Sequence, residues 1–415
     1  MQDIELYRQL LGLNTPWTVT RVELKVKEQR VDVWAGHADG VRWTCPECAS
    51  DLPLYDHADE RSWRHLDSCQ FQTYLHARPP RVDCPAHGVR QVRLPWAEPR
   101  ARFTTLFERL AIDVLRETDV QGATRLLRIS WDEAWEIKRR AVARGRARQR
   151  PRVPARLGID ETAIARGQDY LTLVCDLAAG TVEYLAEERK QASLDGYFTA
   201  LTSPQRAKIQ AVAMDMWEPY VQSVQAHVPE ADDKIVFDVF HILQHMNQAV
   251  DLVRRREHRL LRAQGDETLT GSKYLWLYGE ENVPDRHRER WDKLTRRRSR
   301  KKLKTARAWA LKESLRDLWR CRSRHAAEEQ WRWWYGWATR ARLQPVLEVA
   351  RMIKRHLPNV LTYFRHRITN AMSEGIAGKI QALKKAANGF RNRDNFKTAI
   401  YFHCGGLDLY PDSTH

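Results

Sequence analysis

The sequence predicts a multidomain α+β protein, and three observations carry that reading. Paired Cys/His turns punctuate a short, proline-broken stretch near the start. Residues 155–240 alternate strand–turn–strand–turn–strand and then helix with strand, as a mixed α/β sheet does. A helical tract rich in Trp, Arg and Lys then runs from 242 to about 360.

Taken in order, Ile4–Leu13 reads as a short helix, and the alternation in Trp17–Val26 and Val31–Trp34 reads as a hairpin. Residues 102–144 form three short helices, with Ser130 and Glu133 as a capping box at the start of the third. The last two have the dimensions of a helix-turn-helix. There Glu133, Glu136, Lys138 and Arg139 read as the exposed face, and Trp131, Ala134, Trp135 and Ile137 as the inward side. The linker Arg150–Pro154 leads into strands at Arg156–Asp160, Tyr170–Asp176, Thr181–Ala186, Ile209–Asp215 and Ile235–Phe240. Helices fall at Leu194–Leu201 and Glu218–Ala226. Of the helical tract's tryptophans (309, 319, 331, 333, 334 and 337), most read as core and one or two as platforms for an unpaired base.

At 415 residues the chain can bury a large core in more than one domain. Lys and Arg total 70 against 53 acids, a net charge of +17, concentrated in Arg139–Arg152 and Arg286–Lys304. Such runs match a phosphate-binding surface and point to nucleic acid. No apolar stretch is long enough to span a bilayer, and the amphipathic start does not resemble a secretory signal. Seven cysteines, an odd number, argue against a disulfide framework. A reducing, cytoplasmic location with no membrane partner is the expectation.

Cys45-Pro-Glu-Cys48 and Cys84-Pro-Ala-His87 are two half-sites with metal-ligand spacing. Four thiolate or imidazole donors at two tight turns suit a structural Zn²⁺ and leave no open position for catalysis. His57, His65, His76 and Cys69 lie between the half-sites as alternative ligands; Cys69, lacking a partner at CxxC spacing, reads as a core thiol, as do Cys175, Cys321 and Cys404.

Asp160 closes the apolar run Leu157-Gly-Ile159, Asp215 closes Ala211-Val-Ala-Met214, and Glu374 stands in a helical, lysine-rich segment. Ionised groups are costly beside a core unless paired or metal-bound. Three such acids could hold two Mg²⁺ (or Mn²⁺) ions about a scissile phosphate. Glu161 should face the other side of its strand from Asp160.

With these acids the chain resembles the RNase H-like DDE transposases of bacterial insertion sequences, and most closely the ISL-three family, over nearly its whole length. The motifs that carry the resemblance are Cys45/Cys48/Cys84/His87, Gly158-Ile-Asp160-Glu161, Ala213-Met-Asp215-Met-Trp217, Phe237-Asp238-Val-Phe-His241, Ser373-Glu374-Gly375, Asn388-Gly-Phe-Arg-Asn392 and Phe402-His-Cys-Gly-Gly-Leu407. The chain departs from the family pattern at Ala377, where many relatives carry asparagine.

The resemblance implies a zinc ribbon, a helix-turn-helix and an RNase H-like mixed α/β core interrupted by an all-helical insertion. The implied boundaries are 1–100 for the region with the ribbon, 101–150 for the helix-turn-helix, 151–241 and 361–415 for the core, and 242–360 for the insertion. It implies Asp160, Asp215 and Glu374 as catalytic metal ligands, with Asp215 preferred to Asp238, and Asp238 with His241 in support. Lys138, Arg139, Arg140, Arg297, Arg298, Lys301, Lys302, Lys379, Lys384, Lys385 and Arg391 are the expected contacts to double-stranded DNA at transposon ends and target. The implied activity is binding of terminal inverted repeats, metal-dependent strand cleavage and strand transfer. It also implies a homodimer or higher oligomer, associated with the bacterial nucleoid, as the working form. The competing readings are a catalytically silent DNA-binding regulator and an RNase H-like nuclease.

Overall fold

The computed structural model describes residues 3–149, 152–164, 169–296 and 302–412. It divides into two compact units, Met1–Arg150 with Lys384–His415, and Pro151–Leu383.

The first unit opens with the helix Asp3–Leu10 and nine short strands. They are β1 (Trp17–Lys25), β2 (Arg30–His37), β3 (Arg42–Thr44), β4 (Asp51–Pro53), β5 (Asp56–His57), β6 (Arg61–Arg64), β7 (Gln72–Ala77), β8 (Pro80–Cys84) and β9 (Gly88–Gln91). They form a sheet in the order β1-β2-β7-β6, the hairpin β3-β4 and the sheet β5-β8-β9. Trp17, Val33, Trp63, Leu75 and Trp96 fill the core beneath.

The helices Thr105–Glu117, Val120–Leu127 and Trp131–Arg148 follow, each capped by the side chain before it, Thr104, Asp119 and Ser130. Ser130 and Glu133 make the expected capping box. The second helix stops at Arg128, which takes a left-handed conformation at φ 55°. The C-terminal helix Arg393–Cys404 packs against Trp131–Arg148. Residues 384–415, assigned by sequence to the core, therefore lie in the first unit, and the division falls inside the helix Ala371–Ala386.

The second unit holds a five-stranded sheet, β12-β11-β10-β13-β14, from β10 (Arg156–Ala163), β11 (Tyr170–Asp176), β12 (Thr181–Glu187), β13 (Ala211–Met214) and β14 (Ile235–Phe237). Strand β11 runs antiparallel to β10 and β12, while β10, β13 and β14 are parallel. The last strand is shorter than its sequence suggests. It stops at Phe237 because Asp238 accepts the Phe240 amide at 3.3 Å and starts the 25-residue helix Val239–Ala263.

Leu157 and Ile159 share one continuous apolar core with Val212, Met214 and Phe237 and with Trp276, Trp291, Trp309, Trp331 and Trp334. The helical insertion thus begins at Val239 and is packed into the sheet's own core rather than around a separate one. Of the insertion's other tryptophans, Trp319 and Trp337 are half-buried and Trp333 is 56% exposed. The opposite sheet face, with Ala211, Ala213 and Val236, packs on Ile368. No helix among the described residues is long and apolar enough to cross a membrane.

Candidate active site and structural metal site

The acid site follows from strand register. Gly158 pairs with Ala213, and Ala213 with Val236. Two residues further along stand Asp160, Asp215 and Asp238, abreast on the same face because side chains alternate with a period of two. Asp215 and Asp238 directly follow β13 and β14, whereas Asp160 lies within β10, which runs on to Ala163 instead of ending at the aspartate as the sequence predicts. Ligand sites of open α/β sheets lie at the carboxyl edge of the parallel strands. The helix Ala371–Ala386 approaches that face closely. A Cβ at Gly158 would collide with Ser373 Oγ and come within 2.8 Å of Asn370 Oδ1. Asn370 donates to the Ile159 carbonyl at 3.2 Å, and Gln381 donates to Thr162 Oγ1 at 2.5 Å. So fastened, the helix delivers Glu374.

Ligand atoms of Asp238, His241 and Glu374 lie within 4.8 Å of one another. Asp238 is 3% exposed; its Oδ2 and Glu374 Oε1 are buried without a hydrogen-bond partner among the described residues. Burial, reinforced by the Asp238 carboxylate, pushes Glu374 up to about 7. Asp160 is also raised, first by burial and then by Asp238 and Asp215. Asp160 and Asp215 stand outside the tight group, each accepting the next residue's amide, at 2.8 Å from Glu161 and 2.6 Å from Met216. All the oxygen donors are carboxylates, with a neighbouring imidazole and no thiol, a set suited to Mg²⁺ or Mn²⁺. Two facing carboxylates with orphaned buried oxygens call for a cation or a proton, so the residues fit a divalent ion.

The sequence reading set Asp238 behind Asp215, but the geometry keeps both at the sheet edge and puts Asp238 against Glu374. Its cap to the next helix and its place in the cluster are compatible, since Oδ1 serves the first and Oδ2 the second. Glu161 points away, to Arg189 Nη2 at 3.0 Å, and burial raises it to about 7. Sequence reasoning missed Arg189, which looks like one charge in the surface run Glu187–Lys190. It lies 3.8 Å from Asp215 and 4.3 Å over the ring of Trp217.

In the first unit, Cys45 leaves β3 and Cys84 opens the β8-β9 turn, where Gly88 takes φ 67° as few other residues would. Donor atoms of Cys45, Cys48, Cys84 and His87 lie within 4.8 Å of one another. Cys48 Sγ is 3.6 Å from Cys84 Sγ, which is 3.5 Å from His87 Nδ1. Three thiols and an imidazole at two hairpin turns fit structural zinc. The alternative histidines are engaged elsewhere: His57 with His37 at 2.8 Å, His65 with Thr104 at 2.9 Å and His76 with Asp32 at 2.6 Å. Cys69 is exposed on a tight turn rather than buried in a core, and Cys321 is only half-buried.

The expected DNA contacts divide. Lys138 is 3% exposed, its ammonium 4.8 Å from the Phe402 ring and 3.3 Å from His403 Nε2, so it packs between helices instead of facing DNA. Arg140 is bound to Glu98 at 2.8 Å and Glu108 at 3.1 Å, a structural role. Glu136 and Arg139 are exposed and Ala134, Trp135 and Ile137 are buried, as expected; the departures are Lys138, which is covered, and Trp131, expected inside but 52% exposed. Arg139 is exposed and bonded to Glu136 at 3.2 Å. Lys302, Lys379, Lys385 and Arg391 are exposed and Lys384 is half-buried. Arg297, Arg298 and Lys301 lie outside the described residues.

Three family models match the chain. One described as a transposase, of the ISL3 type, covers residues 157–400; the zinc finger of transposases of the IS204/IS1001/IS1096/IS1165 group covers 42–87; and the helix-turn-helix domain of ISL3 transposases covers 92–142. The chain is 29% identical to the transposase for insertion sequence element IS1557 of Mycobacterium tuberculosis, over 94% of this chain and 93% of the relative. It is 26% identical to the transposase for IS1001 of Bordetella parapertussis, over 85% and 86%. Ribbon, helix-turn-helix and acid-edged sheet occur in the order these models require, and the chain belongs to the ISL3 family of transposases.

Proposed function

We propose that this transposase cuts and joins DNA by DDE chemistry, with Asp160, Asp215 and Glu374 as metal-binding acids, Asp238 as a fourth carboxylate and His241 beside it. The observation that supports this best is the register that sets Asp160, Asp215 and Asp238 abreast, facing Glu374. Mg²⁺ or Mn²⁺ held there would supply Lewis-acid stabilisation of the attacking and leaving oxygens of an in-line displacement. The protein's own part is positioning. The Asn370 and Gln381 bonds fix the helix bearing Glu374, Asp238 holds its carboxylate from a helix N-cap, and Arg189 keeps Glu161 neutralised beside the site. The helix-turn-helix and ribbon bind the terminal inverted repeats, and two copies or more act together at paired ends. On this reading it acts in the bacterial cytoplasm, at the nucleoid.

The test is a cleavage and joining assay on the element's own ends, with and without added Mg²⁺. The native protein should give joined products only with the cation, and Asp215→Asn should bind the ends but neither cut nor join. Cleavage by Asp215→Asn at the native rate would overturn the assignment. Nicks without joined products would identify a nuclease.

A further inference from the structure

We infer that the outward face of the helix Val239–Ala263 is a second DNA-binding surface, a track for the phosphate backbone of duplex held at the acid cluster. The inference rests on that cluster being the cutting site. The helix is capped by Asp238, and its first turn carries His241, so one end is fixed at the chemistry. The far half holds Arg254, Arg255, Arg256, Arg259 and Arg262 against two acids, Asp251 and Glu257.

Both acids are used by the protein itself. Asp251 binds Arg254 and Arg255, each at 2.7 Å. Glu257 is buried and accepts the Lys304 and Thr305 amides at 2.7 Å, capping the helix Lys304–Arg320. Arg256, Arg259 and Arg262 are exposed and have no ion pair among the described residues. Arg255, His258, Arg259 and Arg262 line a shallow groove of about 560 Å³. A face whose acids are turned inward and whose arginines remain outward is complementary to a polyanion.

The length of the helix gives a position. At about 1.5 Å per residue, Arg256 and Arg262 lie roughly 27 and 36 Å along the axis from Asp238. For a duplex lying along the helix, at about 3.4 Å per base pair, that is roughly 8 to 11 pairs from the scissile phosphate. The contacts are to backbone and carry no sequence preference.

The experiment compares the full-length native protein with the triple variant R256A/R259A/R262A on a 60-base-pair duplex carrying the element's end and its flanking DNA. Binding is measured against salt, and phosphate-ethylation interference is mapped on both sides of the cleavage point. The native log–log salt slope should fall by about 0.9 for each lost contact, by roughly 3 in all, and interference should vanish about 8 to 11 pairs from the cut. The melting temperature should not change. An unchanged slope and unchanged interference in a folded variant would overturn the proposal. So would altered sedimentation with the slope intact, which would make this face, with exposed Leu252 and Leu260, an interface between copies. An Asp215→Asn protein that still cuts would refute the acid assignment while leaving the slope to report on this surface independently.

Discussion

The zinc ribbon and the acid cluster are both sets of four or five converging polar side chains, yet they are assembled in opposite ways. Cys45, Cys48, Cys84 and His87 come from two hairpin turns, each supplying two donors three residues apart. Asp160, Asp215, Asp238 and Glu374 come one each from within β10, the ends of β13 and β14, and a helix. The ribbon's soft, closed donor set makes metal part of its folding free energy. The acid set is hard, keeps unpaired buried oxygens and tolerates charge repulsion that folding alone would avoid. On the proposed assignment, a stabilising site and a working site would be distinguished by what each leaves unsatisfied.

Four substitutions would break or sharpen that contrast. The largest effect is expected at Asp238→Asn. Strand cleavage should fall on the order of 10³-fold, as loss of a charge-stabilising group does, while DNA affinity and melting temperature hold. Native-rate cleavage would return Asp238 to the role of a helix cap.

Cys84→Ser should act in reverse. Loss of one zinc ligand should cost several kcal/mol of the first unit's stability and abolish zinc retention, with divalent-ion binding at the acids unchanged. Zinc content and calorimetry are the measurements, and a full zinc complement would remove Cys84 from the ligand set.

Gly158→Ala should be smaller but should touch both properties. The added methyl meets Ser373 and Asn370, so stability should drop by about 1–3 kcal/mol and displacement of the Glu374 helix should slow cleavage. Chemical denaturation and single-turnover rates would show it; a neutral substitution would mean the helix is held less firmly than its bonds suggest.

Lys138→Met is the mildest. Burial holds the Lys138 ammonium down at about 8 against an ordinary 10.5. Between those values the unfolded chain binds more protons, so native stability rises with pH through the window. The methionine variant escapes the penalty. It should be more stable on the order of 2 kcal/mol at pH 7, with the advantage shrinking from pH 8 towards 10.5 and DNA affinity unaltered. Weaker DNA binding would restore Lys138 to the interface.

The two sites also differed in how legible they were. The ribbon ligands could be read from spacing alone, because both half-sites are local turns. Carboxylates following apolar runs at Asp160 and Asp215 could be read as unusual, although β10 continues past Asp160 to Ala163, and their adjacency depends on pairing across some fifty residues and was supplied by resemblance. Asp238 could be read as a rival ligand or as a cap to the next helix, but its approach to Glu374 joins segments far apart in the chain. The end of its strand at Phe237 was not legible because Phe237-Asp-Val-Phe reads as continuing strand. Arg189 carried no signal, since its partners Glu161 and Trp217 are distant in sequence. Lys138 and Trp131 lie on the sides opposite to those the sequence suggests, although Ala134, Trp135, Glu136, Ile137 and Arg139 lie where it predicts, because burial at individual positions depends on what packs there, here a helix from the other end of the chain.

The most direct test of a four-carboxylate metal site is the Mn²⁺ stoichiometry of the full-length, zinc-loaded protein, followed by electron paramagnetic resonance in native, Asp238→Asn and Glu374→Gln forms. The account predicts tight Mn²⁺ binding by the native chain and its loss, at least tenfold in affinity, in both variants with zinc retained. Mn²⁺ binding by Asp238→Asn indistinguishable from native would contradict it.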